Sequence, residues 1–190
     1  MPNNSAQLAL DLTVLHTTEQ LRGGARDFCA VLDQAPSAFV WESCLSRAFA
    51  ENPVPADSLH ALRNATIESS LLSIRILNDF FAQRRFSTDI RAGEYQGYTS
   101  PGEFLSSQEV RNINKYLAHL TTERAEHPPE QWQIYDFIRR THNACSTFVR
   151  FLNSPEGVRY RPDNLDTQSR IQMCERIEAG MRWFPNKPKV

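Results

Sequence analysis

The sequence predicts an all-α fold, an up-and-down bundle of four to six helices, on three observations. Glycine is scarce, with seven residues in 190, and long stretches lack proline, which disfavours a turn-rich β architecture. Several of those stretches repeat apolar residues at the 3.6-residue helical period. The composition, 41% apolar and 23% charged, is that of a globular chain whose length suits one self-sufficient core.

The opening QLALDLTVL fits two patterns, the alternation of a strand and a helical face carrying Leu8, Leu12 and Leu15. Residues 17–34 set Leu21, Phe28, Val31 and Leu32 on a helical stripe, with Gly23 and Gly24 weakening its middle. Ser37 can cap a second segment that ends before Pro53. After Pro55, Asp57 can cap a helix of about seven turns. Its core stripe is Ile67, Leu71, Ile74, Leu77 and Phe81, and Glu68, Arg75 and Asp79 lie along one polar flank.

Residues 86–105 hold glycines, a proline and no steady period, so they read as a long connection. Ile90, Tyr95, Tyr98 and Phe104 could pack it down, or Tyr95, Tyr98 and Phe104 could form an exposed partner patch. Ser106 and Glu109 form a capping box that starts the next helix. On it Val110, Ile113, Leu117 and Leu120 face the core with Tyr116 at the edge, and Asn114 and Thr121 point the same way. Arg111, Lys115 and His119 form an opposite ridge at i, i+4, i+8. The ridge reads either as a solvated face or as a site for phosphate, with His119 titrating near neutral pH.

Pro128 and Pro129 begin another helix, with Trp132, Tyr135, Ile138, Phe148 and Phe151 as core and Pro155 and Gly157 ending it. Thr167 starts the last, which Pro185 stops. The expected division is a single helical domain of residues 1–190, with 1–56 as an N-terminal helical extension, 57–185 as the bundle core and 186–190 as a loose tail.

The net charge of -1 supplies no global attraction for nucleic acid or acidic membranes. No positively charged leader and no membrane-length apolar run is found, so a cytoplasmic address is expected, with no membrane partner. Cys29, Cys44, Cys145 and Cys174 are scattered without a CxxC pair and read as reduced, mostly buried thiols. His142 and Cys145 have helical i,i+3 spacing but lack further ligands, so no metal and no cofactor are expected. Gly-rich phosphate loops, HExxH and GxSxG are absent.

Two blocks, SSLLSIRILNDFF and RNINKYLAHLTTER, joined through TDIRAGEYQG, resemble uncharacterised bacterial proteins related to the HEPN superfamily over roughly residues 58–125. That resemblance implies a helical bundle, often dimeric, and in many members a metal-independent RNase that uses an Arg, a short spacer and a His. Carried over, the histidine is His119. Arg111 stands seven intervening residues before it, and Asn114 occupies the position four intervening residues before it. Asparagine lacks the charged fork that grips phosphate.

The resemblance also groups Asn114, His119, Thr121 and Arg124, which could equally be a structural clasp with Glu68, Arg75 and Asp79 on the neighbouring helix. Two functions are therefore expected. One is a non-catalytic binding or interaction domain. The alternative is a metal-independent endoribonuclease of toxin or anti-phage defence, using His119 with Arg111 or Lys115. A homodimer, RNA and a partner protein are the associations implied.

Overall fold

The computed structural model describes residues 4–36, 55–82, 89–118 and 133–180, with side chains over slightly shorter spans. Five α-helices occur among the described residues: α1 (Asn4–Gln34), α2 (Ala56–Phe81), α3 (Ser107–Ala118), α4 (Ile134–Leu152) and α5 (Thr167–Gly180). Single 3-10 turns stand at Ala92–Glu94 and Val158–Tyr160. The all-helical class is thus seen directly, and no described residue is in a strand.

The ambiguous N-terminal stretch is helical, and α1 runs unbroken through Gly23 and Gly24. A strand would have needed a sheet partner for its backbone groups, whereas a helix bonds its own. Leu15, placed on a possible helical face, is exposed. The Ser37 segment, Trp132, Leu120 and Pro185 lie outside the described residues. Farther along α1, Leu21, Ala25, Phe28, Cys29 and Leu32 enter the core.

The α2 stripe is buried as its period requires: Leu71, Ile74, Leu77 and Phe81 are sealed. Its start differs from expectation. Pro55 is the N-cap and its carbonyl accepts the Ser58 and Leu59 N–H groups at 3.0 and 3.2 Å, while Asp57 sits in the first turn. There its charge favourably meets the positive end of the helix dipole without capping the helix. On α5 the expected start at Thr167 is observed, and Asp166 before it caps the helix, accepting the Ser169 N–H at 2.9 Å.

Phe148 on α4 is the hub of the core. Phe28, Phe80, Tyr95 and Tyr98 surround it with ring centroids 4.8, 4.9, 4.8 and 5.1 Å away, mostly edge to face. These geometries suit the ring quadrupoles. Helices α1, α2 and α4 and the long connection therefore meet at one aromatic cluster. The Tyr95 hydroxyl donates to Leu21 O at 2.8 Å, satisfying the one polar atom that the buried ring brings inside.

Two glycines permit this packing. A Cβ on Gly24 would lie 2.6 Å from Ile90 Cγ2, so the connection could not lie so close to α1. At Gly157 a Cβ would meet Phe151 O at 1.9 Å, which explains why the turn after α4 needs glycine there. The reading in which Ile90, Tyr95, Tyr98 and Phe104 pack the connection down is the one observed, since all four join the core or pack against it.

Candidate functional site

The predicted ridge begins on α3. The capping box is formed as expected: Ser106 N–H donates to Glu109 Oε2 at 2.7 Å, and Glu109 N–H donates to Ser106 Oγ at 3.2 Å. This start places Ile113 in the core and leaves Arg111 and Lys115 exposed one turn apart. Arg111 donates to the neutral Gln108 Oε1 at 2.8 Å. Asn114 is half-buried, and its Oδ1 is sealed from solvent without a hydrogen-bond donor. The description of α3 stops at Ala118, so His119, Thr121 and Arg124 lie outside the described residues.

On the facing flank of α2, Glu68 and Arg75 are half-buried and Asp79 is exposed. Arg75 and Asp79 meet at 3.7 Å, one turn apart, while the buried Arg75 Nε has no hydrogen-bond partner. The structure therefore brings Arg75 to Asp79, and it brings no donor to Asn114 Oδ1.

A different clasp joins the helices, and sequence reasoning missed it. Asn78, only 1% exposed, accepts the backbone N–H groups of Phe104 and Leu105 at 3.0 and 2.8 Å. Arg140 on α4 grips both carboxylate oxygens of Glu109 at 2.6 and 3.2 Å and donates to Phe104 O at 2.8 Å. Its Nε lies 2.8 Å from Asp136 Oδ2, near enough for Coulomb attraction but not aligned as a hydrogen bond. Glu109 thus caps α3 and binds α4 at once. The signal for Asn78 was an amide one turn beyond Ile74, on the buried stripe.

The titratable groups of the interior are inert by position. His142 is 1% exposed, and its Nδ1 lies 2.8 Å from Ile138 O, which assigns the proton to Nδ1. Burial lowers its pKa, partly offset by that bond, so the ring is neutral near pH 7. Its Nε2 is sealed and unpartnered. Burial pushes the thiols of Cys29 and Cys174 up to about 12 and 11, and Cys145 well above its ordinary value. Thiolate nucleophiles at those positions are excluded near neutrality. Among the described residues no three His, Cys, Asp or Glu side chains are grouped to hold a metal.

The expected patch of Tyr95, Tyr98 and Phe104 is not a surface. Tyr95 is buried, and Tyr98 and Phe104 are half-buried, because the aromatic cluster consumes their faces. The exposed large apolar side chains of α2 are instead Leu62, Leu72 and Ile76. Ile76 borders a half-open groove of about 430 Å³ between α1 and α2. Phe28, Val31, Leu77, Phe80 and Ile90 contribute its apolar lining, and Asp27, Asp79 and Asp89 its carboxylates. Burial raises the Asp79 pKa; Arg75 opposes that rise, and Glu103 and Asp89 add to it. No family model matches the chain, and neither a curated protein nor a solved structure matches it significantly.

Proposed function

We propose that this chain is a non-catalytic binding module in a HEPN-like up-and-down bundle, working in the cytoplasm, whose binding face is the groove between α1 and α2. The observation that carries the reading is the apolar track leading into that groove. Leu72 and Ile76 are 47% and 45% exposed, one turn apart, and Phe80 continues the row into the groove lining. Burying such a side chain fully is worth about 1.5–3 kcal/mol, so roughly half of that is still available at each position. A partner that covers the row gains it.

The test is selection of peptides from a random display library against the folded chain, repeated with Ile76→Asp. Enriched peptides that lose binding to the Ile76→Asp protein support the reading. Enrichment indifferent to that change counts against it.

A second reading is favoured by the exposed Arg111 and Lys115, one turn apart on α3 and just upstream of His119 in sequence. In it, a homodimer cleaves RNA by attack of a ribose 2′-hydroxyl on the adjacent phosphate: the O2′–P bond forms, the P–O5′ bond breaks, and a cyclic phosphate and a protonated 5′-hydroxyl remain. His119 is the general acid or base, worth roughly 10²–10⁴. Arg111 or Lys115 stabilises the phosphorane charge, and Glu68 orients the histidine or a cation. In the same reading Asn114, at the position of the motif's arginine, hydrogen-bonds the phosphate, with Thr121 and Arg124 as supporting residues. Cleavage of mixed RNA in EDTA, lost in His119→Ala and reduced in Arg111→Ala, is its expected result. Cleavage unchanged in His119→Ala would sink it.

A further inference from the structure

Building on the binding reading, we infer that the groove between α1 and α2 takes a basic amphipathic segment of a partner protein, with an Arg or Lys flanked by apolar side chains. Each wall of the groove supplies one carboxylate: Asp27 from α1, Asp79 from α2 and Asp89 from the connection that follows. Among the described residues, the cations paired with these carboxylates stand off from them. Arg75 lies 3.7 Å from Asp79 and Arg91 lies 3.6 Å from Asp89, against the 2.7–2.9 Å of a charge-assisted hydrogen bond. Arg91 also donates to Ala82 O at 3.4 Å, which ties it to the end of α2.

This arrangement discriminates among occupants. An acidic or nucleic-acid ligand would meet three carboxylates and be repelled. A wholly apolar segment would dry the rim while leaving those carboxylates without a new partner, which is unfavourable. A cation on the segment removes that penalty, and a guanidinium can in addition lie over the half-buried Phe80 ring. The apolar row from Leu72 through Ile76 to Phe80 extends for about 12 Å at 1.5 Å per residue. That is a length of chain rather than a small ion.

The experiment compares three synthetic helical peptides of about four turns each, one patterned with Leu and Arg, one with Leu and Glu, and one with Ser and Arg. Fluorescence anisotropy reads their binding to the full chain, to Ile76→Asp, and to the triple variant Asp27→Asn, Asp79→Asn, Asp89→Asn. Circular dichroism melting verifies that the variants are folded. The Leu/Arg peptide is expected to bind about tenfold or more tighter than the other two, and to lose about tenfold in the triple variant. A Leu/Arg affinity unchanged by the triple variant, or binding by none of the three peptides, would overturn the inference. A Leu/Glu peptide that binds equally well and is lost in Ile76→Asp would overturn it too, while leaving the groove a binding face. Peptide binding that ignores Ile76→Asp would remove the underlying reading instead.

Discussion

Gly23 and Gly24 stand side by side in α1 and answer to opposite constraints. A Cβ at Gly23 meets nothing within 4 Å, whereas one at Gly24 would press into Ile90 and come within 3.0 Å of the Tyr95 hydroxyl that bonds α1. Gly23→Ala should therefore stabilise the fold by about 0.5–1 kcal/mol by restricting the unfolded chain. Gly24→Ala should destabilise it by about 1–3 kcal/mol through overpacking. Urea denaturation of the two variants gives the comparison, and equal signs would contradict the close approach of the connection to α1. Sequence alone shows two identical helix-weakening residues, because what separates them is a contact made by chain some 66 residues later.

At the scale of the elements, α3 and α4 are locked by Glu109 and Arg140. The Arg140 hydrogen bonds, ahead of smaller contributions from Ser106, lower the Glu109 pKa although burial opposes them. A carboxylate depressed in the folded state adds stability above its unfolded pKa, about 4.3, and loses that contribution as the pH falls through the folded value. Glu109→Gln should cost about 1–2 kcal/mol at pH 7 and progressively less as the pH falls through the depressed folded value, below which the wild-type carboxyl is also neutral. Stability differences measured by denaturant titration at several pH values give the curve, and a pH-independent difference would refute the ion pair. The capping half of this device was legible because Ser106 and Glu109 are three residues apart. The Arg140 half, 31 residues away, was not. Helix existence was similarly legible where periodicity ran long, as in α2 and α4. The ends were less so, since Pro55 took the N-cap position that side-chain chemistry alone assigned to Asp57. Within the candidate sites, Arg111 and Lys115 were readable from angle. The groove was not, because its walls come from α1 and α2, which no local pattern connects.

For the molecule as a whole, His142 makes acid a denaturant. Its folded pKa is depressed by burial, so between that value and about 6.5 the unfolded chain binds a proton that the folded chain does not. Its contribution to stability is then complete above pH 6.5 and falls as the pH falls through that window. The melting temperature should drop from pH 7 to pH 5, with a shallower drop in His142→Leu; an unchanged slope would assign the acid sensitivity elsewhere. The first helix and the last part of the chain are also stitched together. Arg22 donates to Arg159 O at 2.8 Å and Arg170 reaches Asp33 at 2.6 Å, each across 137 positions. A ribosome adding about 5–20 residues per second would therefore release α1 on the order of ten seconds before those partners exist. Through that interval Phe28 lacks Phe148, the ring it packs against at 4.8 Å, so the apolar stripe of α1 waits on α4 for its completed core.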